Sequence, residues 1–253
     1  MRLVERVHLV ASGRLGFGLT DDHDCHVYAV DGGEEIALID AGGGRAVEAL
    51  IENLRGDGLD PRRVRHIFIT HAHGDHAAGA GPLRAALAEL IGIAPRVYAS
   101  AECAPWLRSG DEAATSVHVA RLAGIYPLDF EFAPCPVDRA LVDGERVGVG
   151  DLTLRAIATP GHAAGHLSFL MATSLRICLF GGDALFYGGR VSLQNTWDCS
   201  PTDTAATVEH LAELEWDALF PGHLTMSLRD GRRHARSAAA IAARLGMPPP
   251  LVV

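Results

Sequence analysis

The segment that most constrains this chain is residues 70–76, THAHGDH, which directly follows the apolar run of residues 64–69. The run predicts a buried strand, so three imidazoles and one carboxylate come at its carboxyl end, where α/β sheets usually place their chemistry. This density favours a cation site, because imidazole binds zinc or iron and a carboxylate binds any hard or borderline divalent ion. The alternative, a solvated histidine-rich loop, leaves the ligand-type residues farther along the chain unexplained.

Three more ligand-type residues stand just after predicted strands. His162 and His223 each follow a Pro-Gly pair, after strands expected over residues 154–158 and 216–220. A Pro-Gly turn redirects the chain and aims each histidine back towards the first segment. Asp183 follows two glycines after another apolar strand. Its two carboxylate oxygens can each bind one metal ion and so bridge a pair.

The HxHxDH segment, together with the later Pro-Gly-His and Gly-Gly-Asp segments, resembles the metallo-β-lactamase superfamily of metallohydrolases, in its glyoxalase II-like and lactonase-like branch. The resemblance runs from about Val27 to His223. It implies an α+β fold, the four-layer αββα sandwich in which two β-sheets lie face to face with helices outside. Because nothing in the composition marks a break, we expect residues 1–253 to form a single domain of this fold.

The resemblance also implies a ligand set and a reaction. One metal ion is expected on His71, His73 and His162, a second on Asp75, His76 and His223, and Asp183 is expected to bridge them. Each ion keeps an open position, as catalytic zinc requires, and two ions ~3.5–4 Å apart can share a hydroxide nucleophile whose pKa falls towards ~7. We expect two Zn²⁺ per chain, although iron or manganese also suits these donors. Asp75 is in addition the expected catalytic residue, which orients the nucleophile and carries a proton.

Two further residues are expected to support the ligands. By the resemblance, Asp40 orients a ligand or its loop from behind, with a plain turn aspartate as the alternative. His166 belongs to the same family pattern as a buried, hydrogen-bonded support rather than as a ligand. Farther along, Asp203 is expected to cap a helix that ends at Leu214.

The leading hypothesis for function is a dinuclear zinc hydrolase that cleaves a small ester, thioester or lactone with a metal-bridging hydroxide. The alternative is a mononuclear iron oxygenase similar to persulfide dioxygenases, which load one iron through a subset of the same ligands. His73 argues against a redox role, because flavodiiron relatives have glutamate at that place. A third class, a metal-stabilised binding protein without catalysis, is disfavoured by the intact open site.

Within the hydrolases, Asp183 argues against an antibiotic substrate, because true β-lactamases generally lack the bridging aspartate. Glyoxalase II carries a C-terminal helical domain, whereas 30 residues follow His223 here. Acyl-homoserine lactonases place a tyrosine where this chain has Phe186, with Tyr187 next. We expect substrate choice to come from loops at residues 100–135 and 186–200, whose aromatic residues suit an acyl or small ring group. These residues are Trp106, Tyr126, Phe186, Tyr187 and Trp197.

Charge and composition narrow the expected partners and location. The net charge is −9, and all 22 basic residues are arginine with no basic cluster before the C-terminal segment, which argues against nucleic acid. No apolar run approaches the ~18 residues of a membrane span, and the charged start does not resemble a signal peptide. The five cysteines lack C-x-x-C spacing and are expected as free thiols. We therefore expect a cytoplasmic enzyme with a small-molecule substrate and no nucleic-acid or membrane partner, and a homodimer is compatible with these features.

Overall fold

The computed structural model describes residues 1–251, in which two β-sheets pack face to face. The first sheet carries the N-terminal half of the chain, and its strands follow one another in chain order. The strands are β1 (Arg2–Val4), β2 (Val7–Ala11), β3 (Val27–Asp31), β4 (Ile36–Ile39), β5 (Val64–Phe68), β6 (Arg96–Ser100) and β7 (Arg139–Leu141).

The direction of these strands brings the first ligand segment and Asp40 to one edge. Strands β3 and β4 form the predicted antiparallel hairpin, whereas β4 to β7 are all parallel. Parallel neighbours end at the same edge of a sheet. Asp40 comes directly after β4, and its backbone N–H donates to the carbonyl of Phe68, the last residue of β5, at 2.7 Å. The segment that begins at Thr70 therefore leaves the sheet beside Asp40.

The second sheet collects the remaining predicted ligands at one edge of its own. Its strands are β8 (Arg146–Val149), β9 (Leu152–Ala158), β10 (Leu167–Ala172), β11 (Ile177–Gly182) and β12 (Ala218–Pro221), in the spatial order β12-β11-β10-β9-β8. Strands β11 and β12 are parallel, and β10 is antiparallel to both β9 and β11. The β9–β10 connection, which carries His162, therefore lies at the edge where Asp183 and His223 follow β11 and β12.

Three apolar layers hold the sandwich together. Aromatic rings from both sheets fill the space between them, with the ring centroids of Phe68 and Phe169 5.3 Å apart. Outside the sheets, helix α1 buries Val47, Leu50, Ile51 and Leu54, which is the spacing of one helical face. The helices are α1 (Val47–Gly56), α2 (Gly74–Ala77), α3 (Ala80–Ile91), α4 (Cys103–Ser109), α5 (Val117–Leu122), α6 (Pro201–Glu213) and α7 (Arg232–Ala242). The expected four-layer αββα fold is confirmed.

Two details differ from the sequence expectations. Strands β1 and β2 lie outside the segments that the sequence pattern singles out, although every residue of β2 is buried. The expected cap at Asp203 is wrong, because the Ser200 hydroxyl accepts the hydrogen bond from the Asp203 backbone N–H at 3.2 Å and Pro201 opens the helix. A serine followed by proline is itself a strong helix start. None of the helices within residues 1–251 is long and apolar enough to cross a membrane.

Candidate metal centre and cavity

The seven side chains predicted as metal ligands converge where the carboxyl ends of the two sheets meet. They form a first set (His71, His73 and His162) and a second set (Asp75, His76 and His223), with Asp183 beside both. Within each set, three ligand atoms lie within 4.8 Å of one another. In the first set, His73 Nδ1 is 2.9 Å from His162 Nε2, and in the second, Asp75 Oδ2 is 3.0 Å from His223 Nε2.

Asp183 lies between the two sets. Its Oδ2 is 3.6 Å from His162 Nε2 and also 3.6 Å from His223 Nε2, and its Oδ1 is 3.5 Å from His76 Nε2. Gly222 leaves the room for this arrangement, because a Cβ at that position would collide with Asp183 Oδ1 and the His76 ring. One carboxylate thus reaches both sets, which is the position that a bridging ligand requires.

The protonation pattern of the histidines fits a bound cation. In three of the rings Nδ1 donates outward: from His76 to Asp40 Oδ2 at 2.8 Å, from His162 to the Ser192 carbonyl at 3.2 Å, and from His71 to Thr70 Oγ1 at 3.0 Å. A neutral imidazole has a single N–H, so Nε2 of the neutral His71 and His162 rings turns a lone pair inward. Within residues 1–251, the buried His71 Nε2 and Asp183 Oδ1 have no hydrogen-bond partner. Converging lone pairs without protons repel unless a cation lies among them, and nitrogen with carboxylate oxygen is a donor set that zinc accepts.

Two buried groups, Asp40 and His166, form hydrogen bonds with the predicted ligands from the side away from the cavity. Asp40 accepts hydrogen bonds from the Thr70 backbone N–H at 2.7 Å, from the Thr70 hydroxyl and from His76 Nδ1, so it fixes both the loop and one ring. His166 Nε2 accepts from the Asp183 backbone N–H at 3.1 Å, and its Nδ1 lies 2.8 Å from Thr159 Oγ1. Such partners orient a ligand and set its tautomer.

Two further contacts with the ligands were not expected from the sequence. The Tyr126 hydroxyl donates to Asp75 Oδ1 at 2.7 Å and accepts from the Asp75 backbone N–H at 3.1 Å. Asp198, whose side chain is 3% exposed, places Oδ2 3.5 Å from His73 Nε2. Both residues come from irregular segments, where no strand end or spacing marks them. An aspartate next to Trp197 in a polar stretch was the one signal that the sequence offered for Asp198.

Burial and neighbouring charges set the protonation of the cluster. Burial, reinforced by the surrounding histidines, lowers the pKa of His71 well below its usual value, so the ring stays neutral. Burial would raise the pKa of Asp183, but the imidazoles beside it hold that pKa well below its usual range. Burial would lower the pKa of His76, yet Cys25 and the carboxylates of Asp75 and Asp183 raise it well above the usual value. A metal ion held by the second set would require the neutral form of this ring.

The centre opens into a cavity of about 670 Å³, a size typical of small-molecule sites. Three parts of the chain form its sides: the N-terminal loop (residues 14–24), the wall segment (residues 115–126) and the polar loop (residues 192–196). The wall segment contributes apolar side chains, including Val119 and Ile125. Among the described residues, Arg14 is the one basic side chain that lines the cavity other than histidine.

The expectation that aromatic residues of the two loops face the substrate is largely wrong. Of the five, Tyr126 alone lines the cavity among the residues that the structure describes. Trp106 and Trp197 pack edge to face on each other, with centroids 5.6 Å apart, and the Trp197 indole N–H donates to the Ala114 carbonyl. Phe186 is buried, and Tyr187 packs on His234, with ring centroids 4.5 Å apart. The two expected loops do reach the cavity, but they present mostly aliphatic and amide side chains there.

Comparison with known proteins places this chain among proteins of one superfamily. The sequence model described as the metallo-beta-lactamase superfamily matches residues 20–223. The chain is 35% identical over 127 residues to a hydroxyacylglutathione hydrolase of Rhodospirillum rubrum, which covers 50% of this chain and 36% of that protein. It is 28% identical over 171 residues to an atrochrysone carboxyl ACP thioesterase of Aspergillus fumigatus, which covers 67% of this chain and 42% of that protein. The chain thus spans less than half the length of these two relatives.

A solved structure resembles nearly the full length of the chain. A metallo-beta-lactamase with the HARLDQ motif from Cronobacter sakazakii superposes with a TM-score of 0.70, covering 97% of this chain and 96% of that one. The two sequences are 20% identical, so the likeness concerns the fold and not the substrate.

Proposed function

The chain belongs to the metallo-beta-lactamase superfamily, and from this premise we propose that it is a metal-dependent hydrolase that uses two zinc ions to cleave a small neutral ester, thioester or lactone. The observation that carries the proposal is the convergence of the two ligand sets on Asp183 at the floor of one cavity. Each set offers three ligand atoms, and the Asp183 carboxylate, 3.6 Å from a histidine of each set, would supply a fourth ligand to each ion. Zinc is commonly held by three or four such ligands.

Different side chains at the floor of the cavity have different roles in the proposed reaction. When bound, the two ions polarise the substrate carbonyl and acidify a water molecule. Asp75 is held at Oδ1 by Tyr126 and places Oδ2 beside His223, so its carboxylate is fixed where it can orient the attacking water and accept a proton. His71 and His76 are fully buried, so their rings cannot turn away from the site, and the geometry is set before substrate arrives.

The cavity favours a neutral acyl substrate over an anionic one. Val119, Ala120 and Ile125 offer an apolar side to an acyl chain or ring. Arg14 shares the cavity lining with the carboxylates of Asp22 and Asp24, whose charges oppose a second anion, so we expect a phosphodiester or a β-lactam carboxylate to gain little from the protein itself. One curated relative is named a hydroxyacylglutathione hydrolase and the other a thioesterase, which supports an acyl substrate.

A mononuclear iron oxygenase is the competing function, and the second set weighs against it. Asp75, His76 and His223 bring their ligand atoms as close together as the first set does, so a single occupied position would leave a complete set unused. All five cysteines are free thiols, which supports the further proposal of a cytoplasmic, reducing environment.

Metal analysis and a substrate panel test the proposal together. Protein purified without added metal is expected to carry two zinc ions per chain and no colour. With zinc, it is expected to hydrolyse members of a panel of p-nitrophenyl esters, acyl-homoserine lactones and S-lactoylglutathione. Nitrocefin and bis-p-nitrophenyl phosphate serve as the anionic controls. One iron per chain with a visible colour, or a higher kcat/KM for either control than for every ester, thioester and lactone, would overturn the proposal.

A further inference from the structure

Each histidine of the first ligand set has one ring nitrogen that faces away from the set. In His71 this nitrogen is Nδ1, which lies 3.0 Å from Thr70 Oγ1. In His162 it is again Nδ1, which donates to the Ser192 carbonyl at 3.2 Å. His73 is turned the other way, because its Nδ1 lies 2.9 Å from His162 Nε2. Its outer nitrogen is therefore Nε2, which needs a partner of its own.

The partner that the structure offers to His73 is Asp198. Asp198 Oδ2 lies 3.5 Å from His73 Nε2, and the Asp198 side chain is 3% exposed. Within residues 1–251, His73 Nε2 and Asp198 Oδ1 are buried atoms without a hydrogen-bond partner. A buried N–H and a buried carboxylate oxygen are costly to leave unpaired, so we expect these neighbouring groups to pair. A proton held on Nε2 by this carboxylate leaves Nδ1 with a lone pair for a metal ion.

Backbone contacts with the segment around His162 place the Asp198 carboxylate. The Ala164 N–H donates to Asp198 Oδ2 at 3.4 Å, and the Ser200 N–H donates to the Gly161 carbonyl at 2.7 Å. Gly161 and Ala164 lie on either side of His162 in the chain. The stretch that carries Asp198 is thus attached directly to the segment that carries a ligand of the first set.

The same stretch forms one side of the cavity. Ser192 opens the polar loop, and Asp198 comes two residues after its end. The Ser192 carbonyl accepts from His162, and Asp198 contacts His73, so both ends of the stretch meet ligands of the first set. The residues between them, 193–196, line the cavity. The position of this side of the cavity therefore depends on the orientation of two ligand rings.

We propose that Asp198 is a positioning residue for the first metal ion, and that its contact with His73, together with the bond from His162 to Ser192, makes the order of the polar loop depend on that ion. The inference rests on the proposed function, because it takes the first set as a metal site. When both rings are fixed by an ion, their outer nitrogens fix the two ends of the loop. The loop that meets the substrate is then held in place only in the metal-loaded protein.

Stepwise titration with Zn²⁺ against a chelator, and with Co²⁺ followed by its absorption spectrum, tests the positioning role. Three histidines and a carboxylate-containing set give Co²⁺ different surroundings, so the two sets are told apart. Asp198→Ala is expected to weaken the first set about 100-fold and Asp198→Asn about 10-fold, because the amide oxygen can still accept from His73 Nε2. The affinity of the second set is expected to stay unchanged. Asp198→Asn also keeps the size of the side chain, so it gives the answer if Asp198→Ala does not fold.

Asp138→Asn is the matched control for these variants. Asp138 also fixes a neighbouring backbone, since its Oδ2 accepts from the Val97 N–H at 2.8 Å, and it belongs to neither ligand set. Its substitution is expected to leave both metal affinities at the wild-type values.

Hydrogen exchange supplies the readout for the loop. In the wild type and in Asp138→Asn, Zn²⁺ is expected to slow amide exchange over residues 192–198, and Asp198→Ala is expected to lose this protection. A purely structural role of Asp198 predicts instead that exchange is faster by the same factor with and without Zn²⁺.

The outcomes separate this inference from the proposed function. Unchanged affinity of the first set in both Asp198 variants, or equal weakening of both sets, would overturn the positioning role. Protection by Zn²⁺ that persists in Asp198→Ala would show that the loop does not depend on this contact. In these cases wild-type protein still binds two ions and cleaves its substrate, so the hydrolase proposal stands. If wild-type protein binds no ion at the first set, the proposed function and the role of Asp198 fail together.

Discussion

The floor of the cavity and its wall segment serve one site but are built in opposite ways. At the floor, His71 and His76 are 0% exposed, and each ring has its outer nitrogen held by a hydrogen bond. In the wall segment, Val119 and Ile125 are 51% and 52% exposed and belong to a short helix and the irregular stretch after it. The floor is thus rigid and polar, whereas the wall is open and apolar.

The difference separates the chemistry from the choice of substrate. Buried, hydrogen-bonded ligands keep their geometry whether or not a substrate is present. Half-exposed aliphatic side chains make few packing contacts with the core, so they can be substituted with little effect on the stability of the fold. Substitutions at the floor should therefore abolish or strongly impair activity, and those along the wall should change which substrate is preferred. The four predictions below test this division, from the largest expected effect to the smallest.

The largest effect is expected at Asp183, whose carboxylate lies 3.6 Å from a histidine of each ligand set. Asp183→Ala should remove at least one metal ion and lower kcat by well over the roughly 100-fold seen for supporting residues. Elemental analysis and kinetics measure the two effects, and circular dichroism checks that the fold survives. Asp183→Asn is the companion variant, because it keeps the size and loses the charge. An active Asp183→Ala enzyme with both ions bound would show that the bridge is misassigned.

A smaller loss is expected at His166, which supports the floor without facing a metal position. Its Nε2 holds the Asp183 backbone N–H, and Gly182 has a positive φ of 49° with no room for a Cβ beside the ring. His166→Ala should lower metal affinity or kcat by about 10- to 100-fold, the range for partners of metal ligands. Abolished metal binding would make His166 a ligand, and an unchanged enzyme would make it ordinary core.

The sequence made the floor predictable because each ligand follows a recognisable strand end. Apolar runs that end at a Pro-Gly pair, a Gly-Gly pair or the histidine segment predict where these strands end. The elements predicted in this way are strand β5, the β9–β10 connection and the ends of β11 and β12. The wall offered no such pattern. Trp106 and Trp197 are aromatic residues of the kind that line pockets, but in the structure they pack on each other. The sequence could not show this, because the direction of a loop side chain depends on tertiary contacts that no local spacing encodes.

Tyr126 is where the wall reaches the floor, and it should show an intermediate effect. Its hydroxyl bonds Asp75 twice, while its ring stacks on Phe130 with centroids 4.2 Å apart. Tyr126→Phe keeps the stacking and removes the hydroxyl, so zinc affinity at the second set should fall about 10-fold with the first set unchanged. Stepwise zinc titration separates the two sites.

Tyr98→Phe is the matched control for Tyr126, because the Tyr98 ring also stacks on a phenylalanine and its hydroxyl also has a polar partner, His66, away from the site. If both variants bind two zinc ions as the wild type does, the hydroxyl of Tyr126 does not position Asp75. A loss at the first set instead would mean that Tyr126 acts through the packing of the whole segment and not through Asp75.

The smallest effect is expected at Tyr187, the residue that a lactonase-like mechanism would recruit. Its ring packs on His234 of α7, and its hydroxyl lies 3.4 Å from the Arg233 guanidinium, on a surface outside the cavity lining. Tyr187→Phe should therefore change kcat/KM for esters and lactones by no more than about 2-fold, as for other exposed positions. A loss confined to lactones would mean that Tyr187 turns into the cavity when such a substrate binds. In that case the polar side of the cavity, and not the apolar wall, would choose the substrate.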